Sequence, residues 1–362
     1  MKIFLLAPIH REMEYLKQKH PLPFLLGQGQ QSWVEAFQEL DQKVVIFKYS
    51  DSILIPNVLR MYIKYFIPSS MYSWFKKLIR KTEVDYLEEK LKNKRLCNLI
   101  LKQKPDLVII SSGADFVDSK ILQKTKERRN FKVYLFAGVN PKYAVPENEL
   151  EMVKQGLIDV VVENDEGYAQ LWKKLGARKV LVLPISSVDP KIHKKMAMSK
   201  DEVDLYKSDV CFVGSLTAVR QKILAQLTDF DLAVWGDLPE NTSINKSLKK
   251  FYKGQAFGKK MVKIFNASKI ALNFQPEDML NGGNMRTFEI PGCGAFQLAD
   301  RVDKRWFANT KEVVLFKDVK DLKSKIKYYL DNEKVRMKIA KQGYIYAHKK
   351  HTYEKHFKIL FP

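Results

Sequence analysis

Three short stretches of this chain set glycines, a helix-capping side chain and a charged group in an order that chemistry can use. The most informative is Asn281-Gly282-Gly283-Asn284-Met285-Arg286-Thr287-Phe288-Glu289, which follows an apolar run ending near Phe274 and precedes a short apolar helix. Two glycines let backbone approach an anion, Asn284 can cap the helix, and the N–H groups of a first helical turn point at whatever binds there. Arg286 adds a full positive charge. Helical side chains lean toward the N-terminus, so Glu289, about one turn in, reaches the same mouth, where a carboxylate can accept two hydrogen bonds from a ribose diol. The plainer alternative is a glycine turn in which Glu289 merely pairs with Arg286 at i+3. Pro291 shortens or kinks the helix, and Gly292 and Gly294 end it.

The second stretch, Gly214-Ser215-Leu216-Thr217, directly follows a strand and carries Arg220 and Lys222 in the helix beyond it. Strand, glycine turn and helix come in the order of a phosphate site, but the stretch is neither a G-x-G-x-x-G fingerprint nor a P-loop. Phosphate contact and a solvated helix face are both open for the two cations. The third stretch, Gly27-Gln28-Gly29-Gln30-Gln31-Ser32, precedes a helix that opens on a capping box, Ser32-x-x-Glu35. Its glycines lie too far behind the first strand for a dinucleotide turn; Gly29 and Gln30 belong either to a loop on the acceptor side of a cleft or to a plain helix entry.

A general base is sought among acids that follow strands of the first half. Asp115, in Ser111-Ser112-Gly113-Ala114-Asp115, is the better candidate; Glu163 and Asp165 follow another strand, where Asp165 reads as a helix N-cap. Asp229-Phe230-Asp231 precedes a strand instead of ending one and reads as a turn. His348, His351 and His356 sit among lysines and read as an exposed basic helix, while His10, His20 and His193 lack partners at ligand spacing. No metal site is expected, and no cofactor.

The elements that must position these residues are legible as continuous apolar runs of strand length: Ile3–Ala7, Val44–Phe47, Leu107–Ile110, Val133–Phe136, Val160–Val162 and Val180–Leu183. Continuous runs mark strands covered on both faces, and the stretches of helical spacing between them imply parallel α/β architecture. The pattern restarts at Asp209–Val213 and runs on through Leu232–Trp235, Ile270–Phe274, Ala295–Ala299 and Val313–Phe316. Two Rossmann-like domains facing across a cleft are therefore expected, with ligands beyond the carboxyl ends of the strands. Residues 1–190, joined by a C-terminal helix at 346–362, form the first domain; 191–208 is a linker without strand or clear helix periodicity; 209–345 form the second.

Composition narrows the partners. Lys and Arg number 63 against 41 Asp and Glu, a net charge of +22, which points to an anionic partner. Three widely spaced cysteines, Cys97, Cys211 and Cys293, argue against a disulfide framework or zinc ribbon and fit a reducing cytoplasm. No apolar stretch reaches the length of a membrane span, and Met1–Pro8 is too short for a signal peptide's apolar core and reads as a first strand. Residues 58–82 hold Arg60, Lys64, Lys76, Lys77, Arg80 and Lys81 among aromatics and no acid. Such a segment can lie on an anionic membrane surface, track a nucleic acid, or simply pack its aromatics inward.

The second half also resembles a known family. Asp209-Val210-Cys211-Phe212-Val213-Gly214-Ser215, Phe251-Tyr252-Lys253-Gly254, Ile264-Phe265-Asn266-Ala267-Ser268-Lys269-Ile270-Ala271-Leu272-Asn273, Arg286-Thr287-Phe288-Glu289-Ile290-Pro291-Gly292-Cys293-Gly294-Ala295-Phe296 and His351-Thr352-Tyr353 occur in an order similar to the donor half of CgeB-type glycosyltransferases, a GT-B group related to the group-1 retaining enzymes. The resemblance implies a GT-B fold whose C-terminal helix crosses back to the first domain, and a nucleotide-diphosphate sugar donor, a UDP-sugar first among them. It places Glu289 on the ribose, Arg220 on the diphosphate, and Gly254, Gln255, Ala256 and Phe257 along the base. Group-1 relatives usually carry a second glutamate eight positions before the ribose-binding one; Asn281 stands there instead. Gly138, in Phe136-Ala137-Gly138-Val139-Asn140, stands where related sequences often have an aspartate base, which favours retention of anomeric configuration, since that reaction does not require a protein base there. The acceptor implied is a glycan or glycolipid, at the inner face of a membrane if residues 58–82 bind one; nucleic-acid glucosylation and non-catalytic nucleotide-sugar binding are the rivals.

Overall fold

The computed structural model describes residues 1–7, 9–10, 25–26, 28–49, 83–239 and 242–361, so the basic aromatic segment 58–82 and Gly27 lie outside the described residues. The chain divides into two compact units, Met1–Leu183 and Pro184–Pro362.

In the first unit β1 (Lys2–Ala7) is followed by a short antiparallel pair, β2 (Ile9–His10) with β3 (Leu25–Leu26), and then by β4 (Lys43–Lys48). Next come β5 (Leu107–Ser111), β6 (Lys132–Phe136), β7 (Val160–Glu163) and β8 (Val180–Val182). Six strands form one parallel sheet in the order β4-β1-β5-β6-β7-β8. Ile3 to Ala7 and Leu107 to Ser111 are buried at every position, as strands covered on both faces must be. The second unit repeats the scheme with β9 (Ser208–Val213), β10 (Leu232–Trp235), β11 (Ser268–Asn273), β12 (Gln297–Ala299) and β13 (Val314–Leu315) in the parallel order β10-β9-β11-β12-β13. Alternate residues of β9 serve different cores. Val210 and Phe212 pack with Leu232, Val234, Ile270 and Leu272 on one face, while Cys211 and Val213 pack with Ala233, Trp235 and Ala271 on the other.

All eleven apolar runs became strands of these two sheets. In each sheet the chain leaves the first strand toward one side and returns on the other, so a switch point opens beyond the carboxyl ends of β1 and β5 in one unit and of β9 and β11 in the other. Such crevices are where open parallel sheets bind ligands.

Three expectations change. The helix Gln28–Glu39 begins a turn earlier than Ser32, so Gly29 and Gln30 are helical and the capping box does not form; Glu35 instead accepts from Gln31 Nε2 at 3.1 Å. The stretch 191–208 holds a helix, Lys200–Tyr206, with a true capping box between Ser199 and Glu202, too short to show a hydrophobic period. Residues 346–362 fall in the second unit together with residues 184–199. Val188 bridges Thr352, and the Val188 N–H donates to the His351 carbonyl at 2.8 Å, so the terminal helix Tyr353–Phe357 is pinned to the stretch that leads into the second unit.

Candidate functional site

The second unit's switch point is built by two loops. After β9, Gly214 donates its N–H to Trp235 O at 3.0 Å and Thr217 caps the helix Ala218–Leu224. The ends of β9 and β10 come so close that a side chain at Gly236 (φ +147°) would put its Cβ 1.7 Å from Gly214 O. After β11, residues 274–284 lead into the helix Met285–Gly292, whose cap is Asn284: its side-chain oxygen accepts from Thr287 N at 3.0 Å, and its Nδ2 donates to Asn273 Oδ1 at 2.9 Å. Gln275 ties the loop together by donating to Thr287 Oγ1 and Arg301 O and accepting from Asn284 N. The glycines serve this turn. Gly282 (φ +85°) lies against the backbone of Arg301, and Gly283 donates its N–H to Met279 Sδ at 3.3 Å, both buried, while Asn281 and Met285 are exposed beside them.

Two guanidinium groups converge on this crevice. Arg220 donates Nη1–H to Ser215 O at 3.0 Å and Nη2–H to Phe274 O at 2.8 Å, and so spans the carboxyl ends of β9 and β11. Its acceptors are neutral carbonyls. Burial holds its pKa below the usual arginine range, and Arg286 nearby lowers it further while Asp300 opposes. Arg286 donates Nε–H to Val213 O at 2.9 Å and pairs through Nη1 with Glu289 Oε2, whose residue is 4% exposed. Glu289 thus pairs with Arg286, while Asp300, Glu277 and Asp237 act on Arg220 from further off, and both guanidinium groups stand near the start of a helix that itself favours anions.

The remaining residues expected in this site divide. The Gly254 (φ +91°) carbonyl accepts from Gly236 N at 2.9 Å, and among the described residues nothing lies within 4 Å of where its Cβ would be. Gln255 is exposed with its carbonyl bound to Lys260 Nζ, Ala256 is buried, and Phe257 begins the helix Gly258–Ala267 with its ring half exposed. Ser215 supplies a carbonyl to Arg220. Lys222 is exposed, roughly 200° around its helix from Arg220, and is not brought to the crevice.

In the first unit Asp115 is exposed in the turn after β5. That turn is held from below by Glu149, fully buried, which accepts from Ser112 Oγ at 2.7 Å and from the Gly113 and Ala114 N–H groups at 2.9 Å each. Burial raises the Glu149 pKa against these three donors. Gly29 and Gln30, in the first turn of their helix, are half buried. Asp165 caps its helix as expected, and Glu163 is spent on Asn164 N and Trp172 Nε1, with burial pushing its pKa up to about 8.

Sequence reasoning missed Glu149, His193 and the paired histidines. His351 and His356 are not an exposed basic helix. Both are buried, linked Nδ1 to Nε2 at 3.0 Å, because the chain turns at His351 and packs both rings against Phe288 and Trp306. His193, without a partner at ligand spacing, faces Glu289, ninety-six positions away in sequence. Only the fold creates that pair. Among the described residues no group of three or more His, Cys, Asp or Glu is placed to hold a metal ion, and no helix is long and apolar enough to cross a membrane.

This architecture, two parallel α/β sheets with a charged crevice at the switch point of the second, is the GT-B fold. A glycosyltransferase from Rickettsia africae superposes over 99% of this chain and 96% of its own with a TM-score of 0.66 at 12% identity. Anabaena HepE in complex with UDP-glucose covers 99% of this chain and 98% of its own with a TM-score of 0.64 at 10% identity. In sequence, residues 219–361 match the family described as glycosyl transferase-like. Spore protein CgeB of Bacillus subtilis (strain 168) is 22% identical over 289 residues, 75% of this chain and 86% of that protein. The chain thus shares its fold with glycosyltransferases, and it resembles the CgeB type and, over its second half, a glycosyl transferase-like family.

Proposed function

We propose that the protein transfers a sugar from a nucleotide-diphosphate sugar, UDP-linked, to a glycan or glycolipid acceptor, with retention of configuration and without a divalent cation. The observation that carries this reading is the pair Arg220 and Arg286, fixed by backbone carbonyls at the carboxyl ends of β9 and β11, with Glu289 paired to Arg286. Breaking the bond between the anomeric carbon and the β-phosphate oxygen leaves a nucleoside diphosphate with added negative charge. Two preorganised guanidinium groups and a helix N-terminus stabilise that charge as it develops, which is the part a metal ion plays elsewhere. Glu289 accepts from the ribose hydroxyls, Gly254 to Phe257 lie along the base, and Asn281 offers an amide to the sugar. In a retaining reaction the acceptor hydroxyl attacks on the face the diphosphate leaves, and its proton passes to the departing phosphate oxygen. Gly138 (φ +65°) then needs no acidic replacement. UDP-glucose bound to a protein of the same fold supports the choice of base. Asp115, Gly29 and Gln30 form the acceptor side, and residues 58–82 approach an anionic membrane; Asp115 orients the acceptor.

Calorimetric titration of UDP and UDP-glucose, with and without EDTA, tests the reading. Chelator-independent binding is expected, weakened roughly 10- to 100-fold by Arg220→Met, as the loss of one charge-assisted contact of about 1.5–3 kcal/mol requires. Binding only in the presence of a divalent cation, or equal affinity in the variant, would refute it.

A further inference from the structure

Residues 188–193 form a turn against the site helix. The Asp189 carbonyl accepts from Ile192 N at 3.1 Å and from His193 N at 2.7 Å, and the turn packs on Gly292 so tightly that a Cβ there would meet Val188 Cγ2 at 3.0 Å and His193 Cβ at 3.2 Å. His193 is 2% exposed. Its Nδ1 accepts the Asp189 N–H at 3.0 Å, and a ring nitrogen that accepts carries no proton, so the neutral ring bears its hydrogen on Nε2. That Nε2 is buried and has no hydrogen-bond partner, while Glu289 Oε1 lies 3.6 Å from it. Burial lowers the His193 pKa, helped by Arg286 and His348 and opposed by Glu289 and Asp189, so the ring is neutral at pH 7. A buried donor left just outside bonding distance of a carboxylate is a contact waiting for that carboxylate to move by a few tenths of an ångström.

We infer that His193 is a positioning residue for Glu289: its Nε2–H holds Oε1 while Arg286 holds Oε2, which fixes the carboxylate plane for a ribose diol. The inference rests on the reading of Glu289 as the ribose ligand and adds a residue outside the matched family region. The remaining lone pairs of the two oxygens accept the 2′- and 3′-hydroxyls. Without His193 the carboxylate keeps its charge but loses its orientation, so the cost falls on recognition of the diol and spares the diphosphate.

The test compares UDP with 2′,3′-dideoxy-UDP by calorimetry on the full chain, in wild type, His193→Phe, His193→Gln and Glu289→Gln. Wild type should prefer UDP; His193→Phe should lower that preference five- to tenfold while binding dideoxy-UDP within twofold of wild type, and His193→Gln, which restores an N–H donor, should recover part of it. A His193→Phe protein that keeps the full preference, while Glu289→Gln loses it, overturns this inference and leaves the function standing. A wild type that ignores the diol overturns the ribose role of Glu289 as well. If His193→Phe does not fold, the ¹⁵N-resolved Nε2–H signal of wild-type His193 decides: slower exchange with solvent on adding UDP supports the inference, and an unchanged signal refutes it.

Discussion

Replacing His356 by glutamine should cost much less stability at pH 5 than at pH 7. His351 Nε2 is 2.7 Å from the Trp306 carbonyl and must donate to it, which leaves His351 Nδ1 to accept from His356 Nε2 at 3.0 Å; His356 Nδ1 then accepts from Ser187 Oγ at 2.7 Å. In this arrangement both rings are neutral, and the Ser187 hydroxyl, which also lies 3.2 Å from the Pro184 carbonyl, turns its one hydrogen to His356. Burial is the main cause that lowers His351 from the usual 6.5 to about 4, with Lys350 adding to it, and His356 to about 3, where His351 adds to it. A histidine held below its unfolded pKa gives stability that is fully present above about pH 6.5 and is lost as pH falls toward the folded value, because only the unfolded chain takes up the proton. Integrated from pH 7 to pH 5, each such histidine costs about 2 kcal/mol.

The wild-type pH profile alone is not diagnostic. Glu163, raised to about 8 by burial, works in the opposite sense, since between pH 8 and its ordinary 4.5 the folded chain holds a proton that the unfolded chain has lost. Its contribution cancels in a difference between two proteins that share it. Urea denaturation of wild type and His356→Gln at pH 7 and at pH 5 should therefore show the gap between them narrowing by at least about 2 kcal/mol, the share of one histidine. A gap that stays constant within about 0.5 kcal/mol would mean that His356 titrates alike in the folded and unfolded chains, and the buried neutral pair would be wrong.

Two further substitution pairs separate causes within one site. Gly236→Ala should cost more than about 3 kcal/mol or prevent folding, because its Cβ would lie 1.7 Å from Gly214 O, whereas Gly254→Ala, at positive φ in open space, should cost only about 1–2 kcal/mol in denaturant titration; equal costs would refute the close approach of β9 and β10. Glu149→Gln should stay within about 1 kcal/mol of wild type at pH 7, since an amide oxygen still accepts from Gly113 and Ala114 and Ser112 Oγ can turn to accept from the new NH₂. Glu149→Ala orphans three donors and should lose about 2–4 kcal/mol; a similar loss for both would show that the charge, not the acceptor, holds the turn.

The sheets were legible because burial on both faces writes itself as an unbroken apolar run, as in Leu107–Ser111, and because nothing else in a chain of this composition produces eleven such runs at α/β spacing. The loops after β9 and β11 were legible for a related reason: Asn284 and Thr217 cap helices by rules that act over three residues. What escaped was long-range or frame-dependent. Lys222 and Arg220 look alike in sequence, and only the helix rotation separates them. His351 and His356 sit in a run of lysines that suggests exposure, yet the break at His351 turns both rings inward. Ser32-x-x-Glu35 satisfies a local rule that the observed helix, starting at Gln28, does not use. Glu149 sits in Glu147-Asn148-Glu149, an ordinary acidic first turn of the helix Glu147–Lys154, and only the return of the β5 loop over it turns one of those acids into a buried anchor.

The two arginines are held in different ways, and the difference bears on how the crevice works. Arg220 is hydrogen-bonded by carbonyls, with Asp300, Glu277 and Asp237 acting on its charge from further off; Arg286 pairs directly with Glu289. A carboxylate on both cations would have made a satisfied ion network with little to gain from a diphosphate. No carboxylate at all would have left two guanidinium groups repelling each other, a cost that adds to the burial that chiefly lowers the Arg220 pKa. On the proposed reading Glu289, steadied from the far side by His193, meets the ribose of a nucleotide whose diphosphate lies on the arginines, so that charge recognition and sugar recognition share a single side chain.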